Sequence, residues 1–201
     1  MKGQAPARSQ ARPMMRAMLL SGTAVLSLLL GACASSPPTR FYTLSDTPGE
    51  ATAPAGASQV LITVVSIPGE IDRPELVRRI GPNQLSVADL DRWAAPLDDT
   101  IRRVLTDDIA RRVPGPVSQP PRLVAVDVRE FYGDASCNVT LRAVWALKQA
   151  GAEPVTEEIR VPSGGACPAT LADTMSTALG QLSDRIIAGV ARIPPPSAAS
   201  K

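Results

Sequence analysis

Arg122 to Phe131 reads RLVAVDVREF, and Cys137 to Lys148 reads CNVTLRAVWALK. In the first run Val124, Val126 and Val128 alternate with Asp127 and Arg129. In the second, Cys137, Val139, Leu141, Ala143, Trp145 and Leu147 alternate with Asn138, Thr140, Arg142 and Lys148. Successive side chains of a strand point to opposite faces, so a period of two marks strands with one face on a core and the other in water. Tyr132-Gly133-Asp134 reads as the turn of an antiparallel hairpin, and Gln149 to Ala152 as a second turn. Val155 to Val161 then continues the meander as a third strand.

On either side of this meander the period changes to that of a helix. Leu97, Ile101, Val104, Leu105 and Ile109 recur at helical spacing behind Pro96, which suits a first helical turn. Asp98 and Asp99 at the start and Arg111 and Arg112 at the end complement the helix dipole, and Val113-Pro-Gly-Pro116 stops the helix. Leu171, Met175, Leu179, Leu182, Ile186 and Val190 predict a second helix from about Ala169 to Arg192, ended by Pro194-Pro-Pro196. Nearer the N-terminus, Phe41 to Leu44 is a short strand-like run. Gln59 to Ile67 is apolar on both faces, which is the pattern of a central strand. Leu76 to Arg78 and Gln84 to Ser86 flank Gly81-Pro82-Asn83 as two short strands. Strands, helix, strands, helix predict a single α+β domain over residues 41–193, a largely antiparallel β-sheet with two amphipathic helices packed on it. A length of 201 residues, 44% hydrophobic and 20% charged, suits one such domain.

Residues 1–32 read as an export signal. An arginine-bearing start precedes about fifteen mostly apolar residues, Ala17 to Gly31, too few for the roughly 20 that span a bilayer. Leu30-Gly-Ala-Cys33 resembles the bacterial lipobox, in which the cysteine is acylated and becomes the first residue of the mature protein. Several acyl chains, at about 0.8 kcal/mol per buried methylene, anchor stably. The bland alternative is an ordinary secretory signal with an incidental cysteine. Residues 33–40 then form a lipidated tether, 45–58 a flexible loop rich in Pro, Gly, Ala and Ser, and 194–201 a disordered tail. In an oxidising compartment Cys137 and Cys167 form either a disulfide or two separate buried thiols; their spacing matches neither a zinc knuckle nor a CxxC motif.

The absence of histidine removes Ser-His-Asp and Cys-His catalysis and histidine zinc sites together. Of the 21 basic residues, Lys2, Arg8, Arg12 and Arg16 lie in the signal; without those four, 17 face 19 acidic ones, and nothing suggests a nucleic-acid surface. Asp98-Asp99, Asp107-Asp108 and Glu157-Glu158 are adjacent pairs whose side chains diverge, and they read as solvated charge. No phosphate loop, nucleophile elbow or calcium-binding spacing occurs, so no catalytic residue, metal or cofactor is expected. Trp145 reads as core rather than a ligand platform. Trp93, with Arg92 beside it, is either an exposed partner anchor or a wedge against the first helix. Phe41 and Tyr42 pack in the core, or touch a membrane or a neighbouring protomer.

One ordered set of segments resembles a known family: the lipobox, Phe41-Tyr-Thr-Leu44, the strand ending Val65-Ser-Ile-Pro68, Ile71-Asp-Arg-Pro-Glu-Leu-Val-Arg78, Asn83-Gln-Leu85, Arg92-Trp-Ala-Ala-Pro-Leu97, and the valine-rich strand closing on Glu130-Phe131. Together they resemble the PqiC family of ABC-transport auxiliary lipoproteins. The resemblance implies a non-enzymatic outer-membrane lipoprotein facing the periplasm. It implies as partners a PqiB-like MCE-domain protein and its ABC permease system, with a homo-oligomer as a further possibility. Cys33 is the only residue to which it assigns a role. A periplasmic assembly or chaperone lipoprotein of another envelope complex is the alternative.

Overall fold

β5 (Arg122–Gly133) is the strand around which the sheet is assembled. Along one edge it pairs antiparallel with β6 (Val139–Leu147), from Val124↔Leu147 to Gly133↔Val139, and β6 pairs antiparallel with β7 (Val155–Val161). Its other edge is shared. The first half takes β2 (Val60–Ser66) in parallel, and the end takes β3 (Glu75–Gly81) at Arg78↔Gly133. β3 turns through Pro82-Asn83 into β4 (Gln84–Trp93), and β1 (Arg40–Tyr42) lies parallel to the end of β4. The computed structural model describes residues 37–49, 59–113 and 120–194. Within them seven strands form one mixed, mostly antiparallel sheet. Helices α1 (Leu97–Arg112) and α2 (Leu171–Arg192) pack on it and on each other, giving a single α+β domain. Among the described residues no helix is long and apolar enough to cross a membrane. The signal 1–32, Cys33 and residues 50–58 and 195–201 lie outside the described residues.

Two bulges explain how the sequence period becomes burial. In β5 the register shifts between Val128 and Glu130, so Arg129 is the extra residue and the inward positions pass from Val124, Val126 and Val128 to Phe131. β5 therefore runs on through Tyr132 and Gly133, which the sequence reading gave to the turn. Cys137, expected within the second strand, instead precedes β6 with φ 62°. In β2 the register shifts between Ile62 and Val64. Val60 and Ile62 face α1, while Leu61 and Val64 are 43% and 49% exposed. The expectation of a central strand is corrected accordingly: among the described residues β2 pairs only with β5, and its apolar outward residues are not covered.

The helices follow their sequence signals closely. Pro96, with φ −51°, is the residue before α1 rather than within its first turn, and its carbonyl accepts the Thr100 N–H and hydroxyl. Leu97, Ile101, Val104, Leu105 and Ile109 are all buried against the sheet and α2. α2 lies close enough to β6 that a Cβ at Gly189 would collide with the Trp145 indole, so the helix crosses the tryptophan where it has no side chain. Trp145 itself is 1% exposed and is a core residue.

Candidate functional site

The segments Ile71–Pro74 and Arg92–Leu97, nearly twenty residues apart in sequence, meet at the end of β4. The Trp93 N–H donates to the Pro74 carbonyl at 2.7 Å, and the Ala94 N–H donates to the Tyr42 carbonyl at 2.8 Å. Ile71 is buried beneath this junction. Asp72 to Pro74, Trp93 and Ala95 to Leu97 surround a cavity of about 330 Å³. Trp93 is 7% exposed, so its indole is a cavity wall with its body in the core, and it is not a freely projecting anchor. Arg92 is half-exposed and shares Glu75 with Arg73: the Arg73 pair is 3.0 Å and the Arg92 pair 3.5 Å. The hydrogen bond from Arg73 is the main reason that the Glu75 carboxyl is held below the usual carboxylate range.

β1 is locked onto the same corner. Arg40 donates through Nε and Nη2 to the two oxygens of Asp91, at 2.6 and 2.9 Å, a bidentate fork on a carboxylate whose residue is nearly buried. This contact is also the main reason that the guanidinium is raised above its ordinary value. Phe41 projects on the other side of β1, in register with Arg92, and is 67% exposed, whereas Tyr42 is half-buried beside Trp93.

From β1 the chain crosses to the helices. Leu44 is buried and its carbonyl accepts from Arg103. The Ser45 N–H donates to Ser176, Asp46 pairs with Arg111, and the Thr47 N–H donates to Asp108 at 2.9 Å. A Cβ at Gly180 would fall onto the Thr47 side chain, so α2 leaves room for the strap where it carries a glycine. The part of the expected flexible loop that is described, residues 45–49, has no regular secondary structure but is tied down by these contacts. Asp108 is likewise not solvated: it is 0% exposed and pairs with Arg112, which corrects the reading of the Asp107-Asp108 pair. The cause is tertiary, because the strap covers that face of α1.

Cys137 and Cys167 are joined as a disulfide with Cα atoms 5.5 Å apart, linking the turn before β6 to the segment before α2. A second cavity, about 350 Å³, opens between the β3–β4 and β5–β6 turns, lined by Arg79 to Pro82 and Asp134 to Ser136. Beside it the Arg79 guanidinium lies 4.6 Å from the centroid of the Tyr132 ring. Tyr132 donates to Glu70 at 2.8 Å, and burial is the first reason that its hydroxyl is pushed up to about 12. Neither cavity combines convergent carboxylates with a nucleophile, and among the described residues no group of three or more acidic or sulfur ligands could hold a metal.

Residues 42–187 match the family of ABC-type transport auxiliary lipoprotein components, a range that takes in the cavity, α1 and most of α2. The chain belongs to this PqiC-like family. Its members are lipoproteins that serve ABC-type transport. The fold of this auxiliary lipoprotein is shared with a crystal structure of an uncharacterized protein, at TM-score 0.62 and 17% identity, over 77% of this chain and 99% of that one. It is shared too with a Xanthomonas campestris protein of family DUF330, at TM-score 0.58 and 20% identity, over 74% and 93%. None of the curated proteins matches the sequence. Two of the segments in the ordered set that carries the resemblance, Ile71 to Arg78 and Arg92 to Leu97, thus line one cavity.

Proposed function

We propose that this auxiliary lipoprotein is a non-enzymatic subunit of an MCE-type lipid transport system, acylated at Cys33, held at the outer membrane and facing the periplasm. There it receives the end of the conduit formed by a PqiB-like MCE-domain protein, whose ABC permease sits in the inner membrane. The observation that carries this reading is the family match over residues 42–187, on a chain in which Leu30-Gly-Ala-Cys33 resembles the lipobox. The sites agree with it in kind: surface cavities walled by both apolar and charged residues, with paired charges beside them, suit binding. Arg92 and the Trp93 cavity are the proposed contact with the MCE protein.

Crosslinking of the full-length lipoprotein in cells, with mass-spectrometric identification of what is attached, tests the reading. An MCE-domain protein is expected among the partners. Capture of other envelope-assembly proteins in its place would transfer the chain to the chaperone class. In parallel, Cys33→Ala is expected to yield a folded protein released from the membrane fraction. Retention of that variant through salt and carbonate washes would overturn the lipid anchor.

A further inference from the structure

We propose that the β1–β4 edge of the sheet, with Phe41 at its centre, lies against the lipid bilayer, so that the domain is held in one orientation on the membrane. The inference rests on the reading of Cys33 as the acylated residue. Phe41, at 67%, is the most exposed of the large hydrophobic residues among those described. It is also the one nearest in sequence to the anchor, with only Ala34 to Arg40 between them. Eight residue steps reach at most about 29 Å when fully extended, and a coil of that length averages about 16 Å. An apolar ring on so short a leash meets the bilayer at high effective concentration, without the entropic cost of a separate encounter.

The ring cannot fold away from that surface. Arg40 grips Asp91 with two hydrogen bonds, the Ala94 N–H holds Tyr42, and the strap from Leu44 to Thr47 is fastened to both helices. The neighbourhood suits an interface as well. Asp91 is neutralised by Arg40, and Glu75 by Arg73 and Arg92. What stands beside Phe41 in the ladder is the half-exposed guanidinium of Arg92, on a long stem. A phenyl ring flanked by arginine matches the boundary between acyl chains and anionic headgroups. The lipid supplies the anchoring; Phe41 fixes the rotation of the domain about it. Leu61, Val64 and Leu123 on β2 and β5 lack any such tie to the anchor and serve as comparison positions.

The test uses the full-length lipoprotein, acylated in cells and reconstituted into vesicles of phosphatidylethanolamine and phosphatidylglycerol. A nitroxide is attached at Phe41→Cys and, separately, at Val64→Cys. Oxygen is expected to relax the label at 41 several-fold more than a water-soluble nickel chelate does, with the opposite order at 64. With the label moved to Thr39→Cys, adding Phe41→Ser is expected to reduce its contact with oxygen. A label at 41 that reports water overturns the proposal while leaving the lipid anchor intact, provided that the N-terminal peptide carries its acyl chains. Shielding from both relaxants overturns it in favour of a protein or a second copy over Phe41. Unchanged depth at 39 in the Phe41→Ser protein overturns the role of the ring. An N-terminal peptide without acyl chains removes the anchor and this inference together.

Discussion

Arg112 and Asp108, one turn apart on α1, form an ion pair of 3.0 Å in which neither side chain is more than 3% exposed. The pair is closed from outside by the strap: Thr47 donates its N–H to Asp108 and accepts from Arg112 Nη2 at 2.8 Å. Arg112 Nε also lies 2.8 Å from a carboxylate oxygen of Asp184 on α2. The path from the proposed anchor to the helical layer therefore ends on buried charge.

The two partners are not equivalent, and their substitution separates them. Arg112→Ala leaves the Asp108 carboxylate buried with only Thr47 to satisfy it, and is expected to destabilise the domain by about 3–5 kcal/mol. Asp108→Ala is expected to cost less, because Arg112 retains Asp184 and Thr47. Urea denaturation of both variants checks the order. Equal losses would mean that Asp184 does not compensate.

Tyr132 gives the stability an alkaline limit. Its folded-state value of about 12 lies above the unfolded value of 10.0, so the unfolded chain loses this proton first as pH rises. Stability is full below the unfolded value and falls between the two, by up to about 1.4 kcal/mol per pH unit. Glu70 has the opposite sign: its own backbone N–H first, then the Tyr132 hydroxyl, hold it below the usual range, and its contribution is lost in acid as pH falls through its folded-state value. Tyr132→Phe is expected to flatten the alkaline limb, read from urea midpoints against pH. A limb of unchanged slope would assign the loss to Tyr42, whose hydroxyl burial also raises.

The disulfide closes a loop with a sequence separation of 30 residues. In the chain-entropy model such a loop contributes about 3–4 kcal/mol. Cys137→Ser with Cys167→Ser is expected to lower stability by about that amount while leaving the fold intact. The effect should match that of reducing the native protein, and a reductant should leave the double variant unchanged. A native protein whose denaturation midpoint is insensitive to reductant would contradict the pairing.

What the sequence made legible was whatever depends on local period. Val124 to Val128 and Val139 to Leu147 alternate because each strand has one buried face, and Leu97 to Ile109 repeats at helical spacing because α1 buries one stripe. What escaped was set by partners distant in the chain. Arg129 as a bulge, and so Tyr132 and Gly133 as strand, depends on where β6 pairs. Asp108 looked solvated because its burial comes from a strap about sixty residues away. β2 looked central because a bulge puts apolar residues on both faces, although only one of them is covered. At the candidate site, Trp93 and Pro96 were visible as residues, but not the approach of Asp72 to Pro74 that makes them a cavity.

That cavity allows the partner contact to be tested without touching the core. Ala95 is exposed at its lip, so a larger side chain there fills the space that a partner's residue would enter and leaves Trp93, Pro74 and Leu97 in place. Ala95→Phe is expected to keep the thermal stability of the parent yet reduce capture of the MCE-domain protein by about tenfold or more, since ~1.4 kcal/mol of lost docking is a tenfold change. Ala150→Phe, on the exposed turn between β6 and β7, adds the same ring elsewhere and is expected to leave capture unchanged. If Ala95→Phe captures the partner as well as the parent does, the contact lies away from Arg92 and Trp93. The second cavity between Arg79 and Ser136 then becomes the surface to fill, since it too is a concave face with an exposed rim. Loss of capture in both variants would instead point to a general effect of added surface hydrophobicity, which thermal stability and solubility measured alongside would reveal.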